Sequence, residues 1–264
     1  MKREQLTKLS LIKSDVAETQ YFCVDETVDR IVVPENTKIN FLFTALSKSK
    51  ELLIEVGKNC EVVTSILAIE NFDGYKVTIN ILENSHVEGF LADFTKGKET
   101  FAFTANLLEK NAVMNWHLSS LTAEVDNKKF DISVKHLVPS TFARMENYGV
   151  CKDDGKLVFS GISSIIKGAK GSKTHQNSKI MVFDKKSIGI ANPILKIDEN
   201  DIEASHAAVV GKINDDHLFY LTSRGLTESE AKELITYGYL KPIMNGFVEE
   251  DIKEEIASLI ERRM

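Results

Sequence analysis

An all-β body followed by a short helical segment is the fold class that three observations in the sequence predict. Residues 21–210 are a succession of short strand-like runs: RIVVP, NFLFTAL, ELLIEV, KVTINIL, TFAFTANL, VMNWHLSSL, KFDISVKHL, KLVFSGI and KIMVF. No helical periodicity is sustained through that region, and the chain holds only four prolines. Beyond residue 226 the apolar residues fall at helical spacing instead.

The individual elements follow from local pattern. In Thr100, Phe101, Ala102, Phe103 and Thr104 the two phenylalanines share one face of an extended chain and the threonines the other. Tight-hairpin dipeptides occur only at Asp73-Gly74, Asp154-Gly155 and Asn245-Gly246, which favours coils that climb over strands that fold back. Strand spacing alone leaves a sandwich, a barrel and a parallel β-helix open. Thr227 with Glu230 is a capping-box pattern, and Ala231, Leu234 and Ile235 supply the apolar face of a first helix. Residues 237–246, with Pro242 and Gly246, read as a break. A second helix is expected from about Glu249, with Ile252, Ile256, Leu259 and Ile260 on one face and Arg262 and Arg263 in its last turn.

Composition narrows the function classes. The chain has 264 residues, 27% charged and 43% hydrophobic, as ordinary globular domains do. A formal charge of −6 argues against a general nucleic-acid binder. No apolar run is long enough to span a bilayer, and the basic start has no signal-peptide core, so a cytoplasmic protein is expected. Cys23, Cys60 and Cys151 are too few and too dispersed for a disulfide framework or a zinc site. They are also fewer than the four thiols that usually hold an iron-sulfur cluster within one chain.

Two segments invite a chemical reading. KGAKGSKTHQNSK, residues 167–179, has the lysines and glycines of a phosphate loop and reads as a solvated loop. Ser172, however, stands where a P-loop needs glycine before Lys173 and Thr174, so nucleotide binding is rejected. The run SHAAVVGKINDDHLFYLTSRGL, residues 205–226, places His206 beside a β-branched strand bent at Gly211. Asn214, Asp215 and Asp216 follow as a turn, Leu218 to Leu221 resume the apolar run, and Gly225 is placed where a helical turn can end. His86, His117, His136, His175, His206 and His217 show no metal-ligand spacing, although a coiled fold can bring distant residues side by side.

The run at 205–226 resembles the C-terminal signature of the SufB/SufD family, subunits of the iron-sulfur cluster assembly machine. The resemblance continues through LTESEAKELITYGYLKPI and backwards to KHLVPSTFARMENYGVCKDDGKLVFSG. There His136, Pro139, Thr141 and Arg144 match the family's His-x-x-Pro-x-Thr-x-x-Arg pattern. It covers about residues 130–245 and implies a right-handed parallel β-helix at 21–225, a lead-in at 1–20, and a helical segment at 226–264 that docks an ATPase. The function implied is that of a non-enzymatic scaffold working with a SufC-like ATPase, as a homodimer or a SufB/SufD-like heterodimer. A transient cluster would sit at the subunit interface, with no nucleotide on this chain. His206, His136 and Cys151 are the cluster-assembly candidates; Leu218, Phe219, Tyr220, Arg224, Leu234 and Tyr239 are the partner-binding candidates. The chain departs from the family pattern at Ala204 and Phe183, where cysteines are expected, and at Ala207. It also resembles a short form without the N-terminal helical region. Two other readings are a carbohydrate-active β-helix enzyme, for which Asp184 and Asp198 are unspaced candidate carboxylates, and a structural partner that only holds the ATPase.

Overall fold

The computed structural model describes residues 20–24, 28–44, 46 and 48–264, the first four by backbone alone. The expected lead-in lies, up to residue 19, outside the described residues. The body is a parallel β-solenoid of two facing sheets. Sheet A runs β1 (Gln20–Val24), β3 (Lys38–Phe43), β5 (Glu61–Ala68), β7 (His86–Asp93), β9 (Val113–Thr122), β11 (Phe142–Cys151), β13 (Ser172–Val182) and β15 (Ile202–Lys212). Sheet B runs β2 (Arg30–Val33), β4 (Glu51–Val56), β6 (Tyr75–Ile81), β8 (Lys98–Leu107), β10 (Asn127–His136), β12 (Lys156–Ile165) and β14 (Ile188–Ile197). Each strand pairs in parallel with the strand two places on, so the chain alternates between sheets as it climbs.

The coil is set by a repeated corner. Asn36, Asn59, Asn84 and Asn111 take left-handed φ of 58°, 55°, 56° and 60°, a conformation that asparagine tolerates better than most residues. Their amides stack: Asn59 Nδ2 donates to Asn36 Oδ1 at 3.1 Å, Asn84 to Asn59 at 3.3 Å and Asn111 to Asn84 at 2.9 Å. The steps between them are 23, 25 and 27 residues, register steps of 29 and 31 follow, and the last is 30, so the coil lengthens along most of the solenoid. This gradual growth explains why no fixed period shows in the sequence.

Inside, alternate residues of both sheets form one core, and Phe101 and Phe103 stack on Trp116 at 6.1 and 4.1 Å. Two glycines make room: a Cβ at Gly89 would lie 2.9 Å from Trp116, and one at Gly149 would lie 2.3 Å from Leu157. A second core lies outside sheet A. There α2 (Glu228–Leu240), a 3-10 segment (Lys241–Gly246) and α3 (Glu250–Glu261) bury Leu240, Ile243, Phe247, Ile256 and Ile260 against Leu67, Phe94, Leu121 and Val150. The capping box at Thr227 is present, and Arg263 anchors the C-terminus in a buried ion pair with Asp126.

Three boundaries differ from the sequence-based expectation. The solenoid stops at Lys212, and the second apolar run is helix α1 (Asp215–Ser223), capped by Asn214, so the body ends short of residue 225. The expected break at 237–246 is helical through Leu240 and 3-10 beyond it, because Pro242 falls at the start of that segment, where no N–H is needed. Most of the 167–179 loop is strand β13, which carries polar residues on both faces and so shows no alternation of hydropathy.

Candidate functional site

The interior of the solenoid changes character along its axis. In the early coils it is mainly aliphatic and aromatic, from Ile39 and Phe41 to Phe103, Trp116 and Phe130, with a buried charged group of Asp93, Glu99 and Lys128 at one corner. On β11, β12 and β13 buried polar side chains join it: Asn147, Ser163, Thr174, Gln176 and Ser178. Gln176 Nε2 donates to Ser163 Oγ at 2.8 Å and to the Ile194 carbonyl at 3.1 Å, and Thr174 Oγ1 donates to Ser163 Oγ at 2.8 Å. Asn147 Nδ2 donates to Ser178 Oγ at 3.1 Å. Gly161 leaves the space this amide occupies, since a Cβ there would lie 2.7 Å from Gln176 Oε1. Gln176 Oε1 and Asn147 Oδ1 are buried without a partner, leaving two acceptors free inside the coil.

His206 stands above this polar stretch. The register sets it opposite Gln176, and in-register neighbours of a parallel sheet share a face, so His206 continues the lumen row onto the last coil. Among the described residues no further strand pairs with β15, and residues 205–210 are exposed. The histidine is therefore at an open mouth. Around it the sheet edges are unpaired and apolar: Val209, Val210, Ile188 and Ile194 are all exposed. Along the same edge, Arg144, Glu146, His175 and Ser205 of the outer face and His206 of the inner one line a cleft of about 390 Å³. His175 Nδ1 meets Ser205 Oγ at 2.8 Å there, a pairing that only the coil register reveals.

The other two cluster-assembly candidates are elsewhere. His136 ends β10 on sheet B, fully buried, with Nδ1 at 2.7 Å from Thr141 Oγ1; burial pushes its pKa down to about 4. The match of His136 and Thr141 to one motif thus has a structural basis, as Thr141 Oγ1 also meets Ser172 Oγ at 2.9 Å. Cys151 ends β11, buried, with Sγ donating to the Gly155 carbonyl at 3.0 Å, and burial raises its thiol pKa. A neutral, sealed thiol of this kind is a poor nucleophile and metal ligand. Phe183 lies just past the end of β13 and packs, half-buried, on the helical core.

Of the partner-binding candidates, Phe219 and Tyr220 on α1 and Leu234 on α2 are exposed, and Arg224 lies over the Tyr220 ring at 5.1 Å. Leu218 is half-buried. Tyr239 is turned inward, edge-on to Tyr148 at 5.5 Å, and burial and that neighbour raise its pKa. It belongs to the seam between helices and solenoid rather than to a free surface.

Residues 26–239 match the sequence model of a family described as "SUF system FeS cluster assembly, SufBD core domain". The chain belongs to the SufBD family. Among its SufBD relatives, the iron-sulfur cluster assembly protein SufD of Bacillus subtilis (strain 168) is 37% identical over 137 residues, 52% of this chain and 31% of that protein. SufB of the same organism is 25% identical over 193 residues, 73% of this chain and 42% of the relative. SufD of Escherichia coli (strain K12) is 25% identical over 233 residues, 77% and 55% of the two chains. The chain therefore spans between about a third and just over half of these relatives' length. The SufBD match includes the solenoid beyond β1, the mouth and α1, and ends within α2. No helix among the described residues is long and apolar enough to cross a membrane.

Proposed function

We propose that this SufBD-family chain is a non-enzymatic scaffold subunit on which iron-sulfur clusters are assembled in a SUF-type complex with a SufC-like ATPase. The observation that carries the reading is the mouth of the solenoid, where His206 tops a polar lumen and is ringed by unpaired, apolar strand edges. A second SufB/SufD-like chain, or a second copy of this one, joined at β14 and β15 would pair those edges and enclose His206. An interfacial imidazole is a good borderline ligand for iron and needs no thiol from this chain, whose described cysteines are both sealed. The cluster is cargo here, held in passing between subunits. The exposed Phe219, Tyr220 and Leu234 give the ATPase an apolar contact on α1 and α2, which join the last coil to the helices packed on sheet A. Nucleotide-driven movement of the partner would reach the mouth through α1, which follows β15 after two residues.

Co-expression with a SufC-like ATPase and affinity capture of the tagged chain tests the partnership. Stoichiometric co-elution, lost in Phe219→Asp/Tyr220→Asp, is expected; no complex between two folded proteins would overturn it.

A further inference from the structure

The outer face of sheet A carries, on β7 and β9, a polar cluster that cluster assembly at the mouth does not use. His86 and Glu88 stand two apart on β7 and share a face; the register sets Asn115 opposite Glu88 and His117 opposite Phe90. His86 Nε2, Glu88 Oε1 and the Asn115 side-chain nitrogen form a triangle with sides of 2.9, 2.7 and 3.0 Å. His117 Nε2 approaches the other carboxylate oxygen, Oε2, at 3.2 Å, while its Nδ1 faces Glu146 at 3.4 Å and Phe90 stacks on its ring at 4.7 Å.

With Glu88 ionised, no placement of the remaining protons satisfies the triangle. If His86 Nε2 carries a proton it donates to Glu88 but meets a second donor in the Asn115 amide. If it is bare it accepts from Asn115 but faces the Glu88 oxygen, lone pair to lone pair, at 2.9 Å. Turning the amide over relieves His86 and sets two oxygens 2.7 Å apart. Asn115 Oδ1 is meanwhile buried with no partner. A cation bound at the triangle removes the conflict among its three corners: with the amide oxygen turned toward it, all three are acceptors. Sides near 3 Å match one face of an octahedron with bonds of about 2.1 Å.

We propose that His86, Glu88 and Asn115 bind a first-row divalent transition-metal ion on the outer face of the solenoid, with His117 positioning the Glu88 carboxylate and Glu146 orienting His117. One imidazole, one carboxylate and one amide oxygen suit borderline ions such as Fe²⁺, Co²⁺ or Zn²⁺, and a histidine braced by a carboxylate is a usual outer-shell support. Among the described residues no group of three His, Cys, Asp or Glu side chains can hold a metal; here the Asn115 amide completes the set. The site stands independently of the function proposed for the mouth.

Titration of the full chain, without a polyhistidine tag, with cobalt(II) chloride tests it by calorimetry and visible absorption. One Co²⁺ per chain is expected, weakened about tenfold or more in His86→Ala and Glu88→Gln. Asn115→Asp, which adds a charge to the ligand set, is expected to tighten binding and keeps the test open should either of the first two fail to fold. His217→Ala, on the exposed face of α1, is expected to bind as the parent does. Absence of binding, equal affinity in His86→Ala and Glu88→Gln, weaker or unchanged affinity in Asn115→Asp, or loss in His217→Ala would each overturn the proposal.

Discussion

His136 and Glu99, both sealed in the solenoid, pull its stability in opposite directions with pH. Burial lowers the folded pKa of His136 to about 4 from 6.5, so between those values the unfolded chain binds the extra proton and stability is lost as pH falls. Glu99 is raised to about 7 from 4.5, first by burial and then by the Asp93 carboxylate, which also pairs with buried Lys128 at 2.8 Å. There the folded state holds the extra proton, and stability is lost as pH rises from 4.5 to 7. Each group contributes on the order of 3 kcal/mol across its window. In urea titrations from pH 4.5 to 8, Glu99→Gln should be more stable than the parent above pH 7 and show a steeper fall in acid. His136→Met should lose that acid fall. Parallel pH profiles for parent and variants would refute both assignments. Neither effect is legible in the sequence, where Glu99 is one acid among many; its depth comes from the register that sets it opposite Lys128 on β10.

At the scale of elements, strands with clean alternation were readable and the others were not. Phe101 and Phe103 on β8 announce a buried face, and the structure stacks both on Trp116. Strands β7 and β11 show no such alternation, because Gly89 and Gly149 take inward positions where a side chain would collide with Trp116 or Leu157, and Asn147 is polar and inward. Gly149→Ala should destabilise the fold by about 1–3 kcal/mol through overpacking, measured by chemical denaturation. The helices were easier, since caps are local: Thr227 and Glu230 close the predicted box. Thr227→Ala should cost about 1 kcal/mol, and Ile260→Ala, which empties the fully buried contact of α3, about 2–5 kcal/mol. Equal effects of the two would show that α3 is not seated on the solenoid. Leu218 to Leu221 is too short an apolar block to show a helical period, and Gly225, placed where a helical turn ends, is the local sign of α1.

For the whole molecule, the parallel solenoid was legible through family resemblance and a scarcity of hairpins, while the widening coil was hidden by its own changing period. Of the residues expected to build clusters, only His206 lies at the mouth. Its setting depends on β15 being the last coil, a fact of topology that no local motif carries. An uncovered edge bearing Val209, Val210 and Ile194 should also drive association. Val209→Lys with Ile194→Lys should shift the purified complex to a lower mass in light scattering without changing its melting profile. The central claim is tested most directly by anaerobic reconstitution, with ferrous iron and sulfide, of the complex formed with the SufC-like ATPase, comparing the parent chain with His206→Ala. The parent should acquire acid-labile sulfide and a visible iron-sulfur absorption that the variant, still in complex, lacks. Equal cluster content in the two would contradict the account.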